Sequence, residues 1–228
     1  MIRNLLRSVP ALLLVLIPFL APPASAVGGR SAAWDGPDPI VFVHGWNSDG
    51  SVWETMAGRF RADGRPADHL DQWTYDATQS NVTTAARLAE EIERVLAATG
   101  AERVDIVTHS MGGLSSRYYL KNLGGTAQVD AWVSLAGPNH GTETARWCGG
   151  DPCAEMRPGS AFLNALNADD ETPGSPRYAT WGSPCDSVIS PRSSVALSGA
   201  GNITTACLGH SELKTDPAVY AEVKEHLR

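Results

Sequence analysis

The segment Val104-Asp105-Ile106-Val107-Thr108-His109-Ser110-Met111-Gly112-Gly113 sets a serine between a short apolar run and a stretch of small residues. An apolar run that ends in a serine and resumes as a helix has the layout of a nucleophile elbow. That sharp strand-to-helix turn lifts a hydroxyl clear of a sheet. Such a hydroxyl attacks carbonyl carbon when a base stands beside it and backbone N–H groups are aimed at the developing oxyanion. Gly112 supplies one of the minimal side chains the turn requires. Thr108 stands where the G-x-S-x-G pattern has its first glycine, so the pattern is met only in part.

A serine nucleophile needs a base, and the base an orienting acid, which in this architecture follow in the order Ser, Asp/Glu, His. Beyond Ser110 the chain offers His140, His210 and His226. His226 falls in a final helical turn, where an imidazole complements the helix dipole. His140 follows Asp130 with no strand end between an acid and itself. His210 comes directly after the apolar segment Ile203–Leu208, at the sheet end where ligand sites form, and is the expected base. Asp186 follows the strand pattern Tyr178–Trp181 in a loop on the same edge and is the expected acid; it would orient the imidazole and stabilise its charged form. Asp169, Asp170 and Glu171 share a polar segment, and Asp130 precedes its strand. The expected oxyanion donors are the backbone N–H groups of Trp46, in His44-Gly45-Trp46 after the first strong strand, and of Met111 after the serine. His44 reads as a turn residue and His109 as scaffold.

These side chains need a sheet to carry them. Short apolar strands alternate with helical patterns, the signature of a mostly parallel sheet with helices on both faces. Ile40–Val43 is a continuous apolar run, as a strand buried on both sides requires. Trp73–Tyr75, Val104–Val107, Trp132–Leu135, Tyr178–Trp181 and Ile203–Leu208 are the further strands. In Thr84–Thr99, Leu88, Ile92, Val95 and Leu96 recur at helical spacing; Arg87/Glu91 and Glu90/Arg94 are i,i+4 pairs, and Gly100 stops the helix. Asp216-Pro217 opens a last helix with Val219, Val223 and Leu227 on its buried side. Pro138–Pro176 breaks the alternation, with one helix expected near Ser160–Asn167; a loop of that length flanks or partly covers a site.

Met1–Ala26 reads as a secretory signal. Arg3 and Arg7 precede the apolar Ala11–Leu20, and Ala24-Ser25-Ala26 is a cleavage site. The apolar run is too short and proline-broken to span a bilayer comfortably. Cleavage after Ala26 leaves residues 27–228 as one domain and takes the balance from 18 basic and 25 acidic residues to 16 and 25, or −9. An acidic surface excludes nucleic acid as an evident partner. The four cysteines of an exported chain favour disulfides, with three pairings open. Cys148 and Cys153 enclose only Gly-Gly-Asp-Pro and suggest a local clip. Cys185 would then pair with Cys207 and tie the acid loop to the base loop, worth about 3 kcal/mol in chain-entropy terms. No C-x-x-C spacing or histidine cluster suggests a metal.

Four motifs in order, Pro39-Ile40-Val41-Phe42-Val43-His44-Gly45-Trp46, His109-Ser110-Met111-Gly112-Gly113, Cys185-Asp186-Ser187-Val188-Ile189-Ser190-Pro191 and Gly209-His210, resemble those of the small secreted bacterial lipases, class 2 lipase-like minimal members of the α/β-hydrolase fold. Leu135-Ala136-Gly137-Pro138-Asn139-His140-Gly141-Thr142 resembles a further lipase loop near the active site. The resemblance implies a fold without a large cap domain and hydrolysis of acylglycerol esters without a cofactor. A lipid or other ester is the implied partner, and a monomer is expected. Thr108 departs from the glycine or alanine usual before the histidine. An acyltransferase using the same acyl-enzyme, or a non-catalytic lipid-binding protein on the same scaffold, are the alternative readings.

Overall fold

The apolar run Ile40–Val43 forms strand β1, buried along its whole length. Its side chains alternate between two cores, as the two-residue period of a strand dictates. Ile40 and Phe42 pack with Trp53, Met56 and Phe60 on one face. Val41 and Val43 pack with Leu88, Ile92 and Val95 on the other. The structure is a computed structural model that describes residues 36–228; the expected signal segment Met1–Ala26 lies outside the described residues.

After β1 come α1 (Glu54–Ala62), β2 (Leu70–Trp73), α2 (Asn81–Thr99), β3 (Val104–His109), α3 (Gly112–Asn122) and β4 (Val129–Leu135). The chain continues through α4 (Asp151–Glu155), α5 (Ala161–Leu166), β5 (Arg177–Gly182), β6 (Gly201–Thr204) and α6 (Pro217–His226). The strand order is β2-β1-β3-β4-β5-β6, and every pairing is parallel. The chain runs outward from β1 to β2, returns to the other side of β1 as β3, and then proceeds to β6. The switch point between β1 and β3 is where a parallel sheet opens a crevice at its carboxyl edge. The helices α1 and α6 cover one face, α2 and α3 the other. This is an α/β-hydrolase fold, without a large cap domain among the described residues.

Local chemistry explains the helix boundaries. Ser80 accepts from the Thr83 N–H to start α2, and Gly100, at φ 73°, ends it in the left-handed conformation. Asp216 accepts from the N–H groups of Ala218 and Val219 ahead of Pro217 in α6. On α2 the charged side chains pair at i,i+3 instead of the expected i,i+4. Arg87 meets Glu90, while Arg94 bridges Glu91 and Asp71 of β2.

Two strands sit differently from their sequence patterns. The second is Leu70–Trp73, ahead of Trp73–Tyr75, because Tyr75 leaves the sheet to stack on His44, ring centroids 4.0 Å apart. The last is Gly201–Thr204, not Ile203–Leu208. Beyond Thr204 the chain is drawn off the sheet by the Cys185–Cys207 disulfide and by Ser183, whose hydroxyl binds both backbone groups of Leu208. The segment 138–176 is packed down, not open. Its Cys153, Met156, Leu163 and Leu166 form a third core with Met111 and Leu114. Buried Arg117 of α3 donates to Asn167 Oδ1 at 2.9 Å, and Lys121 to the carbonyls of Leu166 and Asp170.

Asp105 of β3 is a cost inside this core. It is 1 % exposed, its carboxylate oxygens make no hydrogen bond among the described residues, and its ion-pair partner Arg65 lies 3.6 Å away. Burial, opposed in part by Arg65, pushes its carboxyl up to about 8 from 3.8. A carboxyl raised in the folded chain holds its proton there after the unfolded chain has released it. Its contribution to stability therefore declines as pH rises from about 4 to about 8. Calorimetry of Asp105→Asn should show the variant gaining on the parent in Tm between about pH 5 and about pH 8.5; a constant difference would contradict this.

Candidate active site

The elbow is built backbone on backbone. β3 ends at His109, and Ser110 turns the chain with φ 55°, in the left-handed region that side chains rarely occupy. The Ser110 N–H donates to the Leu135 carbonyl at 2.9 Å, and its own carbonyl accepts from Gly113 at 3.0 Å. A Cβ on Gly112 would lie 2.6 Å from the carbonyl oxygens of both Val43 and His44; one on Gly45 would lie 2.9 Å from Ser110 Cβ. Only glycine at both positions lets the end of β1 meet the turn. Thr108 fits in place of the motif's first glycine because it lies within the sheet, where its hydroxyl donates to the Val133 carbonyl at 2.9 Å.

Asp186 and His210 hang from the carboxyl ends of β5 and β6. His210 Nδ1 donates to Asp186 Oδ2 at 2.8 Å, leaving Nε2 as the acceptor nitrogen. Asp186 Oδ1 accepts from the N–H groups of Val188 and Ile189, at 2.7 and 3.1 Å. Burial alone would raise this carboxyl, but His210 and the two N–H groups outweigh it and hold Asp186 below the usual carboxylate value. Ser183 ties the two loops at the backbone. Its hydroxyl donates to the Leu208 carbonyl at 2.6 Å and accepts from the Leu208 N–H at 2.9 Å and from Cys185 at 3.1 Å. Thr142 binds the acid loop from the other side, donating to the Val188 carbonyl and accepting from the Ser190 N–H.

Ser110 and His210 line one cavity of about 460 Å³, together with Trp46, Thr142, Met156 and Val188. The Ser110 hydroxyl makes no hydrogen bond among the described residues, so it faces this cavity uncommitted. Hydrogen bonds to a nucleophile commonly tighten only once substrate is bound. The N–H groups of Trp46 and Met111 likewise have no acceptor among the described residues. Met111 is fully buried, where an unpaired N–H is uncommon. Trp46 shares the cavity with Ser110 and follows Gly45, which packs against the serine, and Met111 is the next residue in the chain. His44 is a turn residue: its Nδ1 donates to the Gly45 carbonyl at 2.8 Å and its Nε2 accepts from the Tyr75 N–H at 3.3 Å.

The other two candidate bases lie elsewhere. His140 bonds Glu171 at 2.7 Å, and His226 Nε2 bonds the Arg177 carbonyl. Ser183 and Lys214 shape the site without a motif that announces them, and Thr142 does so at the end of the segment Leu135–Thr142. Among the described residues, Asp38, Asp105 and Asp130 approach one another closely enough to hold a metal ion. They lie at the opposite end of the sheet, and Arg65, Arg103 and Arg177 already pair two of the three.

A parallel sheet whose strand-end loops gather a serine on an elbow, an imidazole and a buried carboxylate defines an α/β-hydrolase site. The family model described as lipase (class 2) matches residues 37–218. The chain belongs to the class 2 lipases and is a carboxylic ester hydrolase. Among solved structures it is similar to mature Bacillus licheniformis lipase BlEst2, with a TM-score of 0.71, 16 % identity, and 86 % of this chain and 94 % of that one covered. A Listeria innocua protein is similar at a TM-score of 0.67 and 13 % identity, covering 85 % of this chain and 94 % of that one. Aspergillus fumigatus lipase B is similar at 0.66 and 16 %, over 82 % of this chain and 51 % of its own.

The bonds of Ser183 yield a direct expectation. Ser183→Ala leaves the Leu208 N–H and C=O without their buried partner, a loss of about 1–3 kcal/mol. Denaturant titration should register that loss, and kcat on a soluble ester should fall with it; an unchanged midpoint would contradict the assignment.

Proposed function

We propose that this lipase is exported and hydrolyses acylglycerol esters, with Ser110 as nucleophile, His210 as general base and then acid, and Asp186 as orienting carboxylate. The observation that carries the reading is the 2.8 Å Asp186–His210 bond beside a cavity that Ser110 also lines. Ser110 Oγ attacks the ester carbonyl while His210 Nε2 takes its proton, and the N–H groups of Trp46 and Met111 hold the oxyanion. Asp186 stabilises the imidazolium without taking its proton. His210 then protonates the leaving alcohol. Water, activated by the same imidazole, attacks the acyl-enzyme and releases the acid. Two disulfides are consistent with an oxidising compartment, and the leader-like Met1–Ala26 supports export.

Substrate would arrive from a lipid surface. Five large apolar side chains are exposed among the described residues, and three of them, Trp46, Trp147 and Val188, line the cavity. Scattered exposed apolar residues are ordinary, whereas clustering at one mouth marks a contact surface. Trp147 is 91 % exposed and sits beside the Cys148–Cys153 clip, which presents its indole outward. Indole suits the boundary between acyl chains and water.

Ser110→Ala should reduce turnover of p-nitrophenyl butyrate by at least about a thousandfold; a rate near the parent's would overturn the assignment of the nucleophile. Trp147→Ala should lower the ratio of activity on emulsified triacylglycerol to activity on soluble p-nitrophenyl acetate by about tenfold. An unchanged ratio would rule out this tryptophan as the surface contact.

A further inference from the structure

Lys214 is the one lysine, arginine, aspartate or glutamate among the residues lining the Ser110 cavity, yet it is only 7 % exposed. Burying an ammonium without a carboxylate is costly, and no carboxylate pairs with it among the described residues. Its hydrogen bond goes to an imidazole instead: Lys214 Nζ lies 3.4 Å from His109 Nδ1. The other ring nitrogen, His109 Nε2, lies 3.0 Å from the backbone carbonyl oxygen of His210. The two imidazoles pack with ring centroids 4.6 Å apart.

These contacts fix the protons. An ammonium only donates, a carbonyl oxygen only accepts, and a neutral imidazole has one donor and one acceptor nitrogen. Lys214 therefore donates to Nδ1, and Nε2–H of His109 donates to the His210 carbonyl. The imidazolium is disfavoured, because burial first, and the neighbouring His210 and Lys214 charges second, hold His109 well below the usual histidine range. A protonated Nδ1 would also face an ammonium that has nothing to accept with.

The arrangement matters because of where His109 sits. It is the residue before Ser110, so its ring joins the elbow to the backbone of the loop that carries the imidazole. The other ties on that loop, the Asp186 hydrogen bond, the Cys185–Cys207 disulfide and Ser183, all run to the acid loop. Among the described residues, the His109 bond is the hydrogen bond that references His210 to the serine side of the site.

We propose that Lys214 and His109 are positioning residues: Lys214 fixes the tautomer of His109, and the fixed imidazole holds the backbone of His210 at the separation from Ser110 that proton transfer requires. The proposal rests on the reading that Ser110 and His210 perform the chemistry. Small displacements between reacting groups cost up to about a hundredfold in rate. Lys214→Met, which keeps the length and removes the donor, should lower kcat on p-nitrophenyl butyrate by about tenfold to a hundredfold while KM stays within about twofold. Lys214→Arg, which keeps a donor, should restore most of the loss. Ring ¹⁵N NMR of the intact parent protein should show His109 protonated at Nε2 and bare at Nδ1, and Lys214→Met should admit the second tautomer. The proposal is overturned by a parent His109 protonated at Nδ1, by kcat of Lys214→Met within about twofold of the parent's, or by a loss that arginine does not repair. The NMR reading requires no turnover, so failure here is distinguishable from failure of the proposed triad, which the Ser110→Ala assay tests. It also stands if Lys214→Met does not fold.

Discussion

The site depends on one close approach, that of the turn after β3 to the end of β1. Two glycines face each other's strand there, and any Cβ at Gly112 would press into the carbonyls of Val43 and His44. Ser110 at φ 55° is a conformation worth about 1–3 kcal/mol of strain. It persists because β3 is gripped on both sides, by β1 and by β4, and because the Ser110 N–H is itself held by Leu135. The same approach brings Gly45, the residue before Trp46, against Ser110, the residue before Met111. The elbow and the start of the loop after β1 are thus one packing event.

Around that rigid centre, the other two side chains come from loops with little secondary structure of their own. A strand end fixes where a loop starts but not where its sixth residue points. The structure meets this with cross-bracing: Cys185–Cys207 and Ser183 link acid loop to base loop. Thr142 fastens the acid loop to the segment after β4, and His109 reaches from the elbow to the base. The polar braces, Ser183, Thr142 and His109, are buried where water competes little, and the exposed brace is the covalent Cys185–Cys207 bond. The third apolar core, under α4 and α5, supports the cavity wall and gives the long segment 138–176 a packed role.

What was legible in the sequence followed from period and order. Ile40–Val43 carried its burial in four consecutive apolar residues, Gly100 marked the end of α2 and Asp216 the start of α6, while α2 begins at Asn81, three residues ahead of the expected Thr84. The Ser110, Asp186, His210 order picked out residues that the fold gathers at one edge, with the Asp186–His210 contact formed and Ser110 facing the same cavity. The pairing of Cys148 with Cys153 and of Cys185 with Cys207 followed from spacing. The strand Ile203–Leu208 was misplaced because an apolar run does not reveal that Leu208 and Cys207 are claimed by Ser183 and Cys185. The roles of Ser183, Thr142 and Lys214 were illegible because each depends on partners at least two dozen residues away.

The central claim is that one hydroxyl, one imidazole and two backbone N–H groups act on the same carbonyl. A crystal structure of the enzyme inactivated by an alkyl p-nitrophenyl phosphonate tests it most directly. The account predicts phosphorus bonded to Ser110 Oγ, the phosphoryl oxygen accepting from the N–H groups of both Trp46 and Met111, and His210 Nε2 within hydrogen-bond reach of the adduct. Phosphorus on another residue, or a phosphoryl oxygen turned away from those two N–H groups, would contradict it.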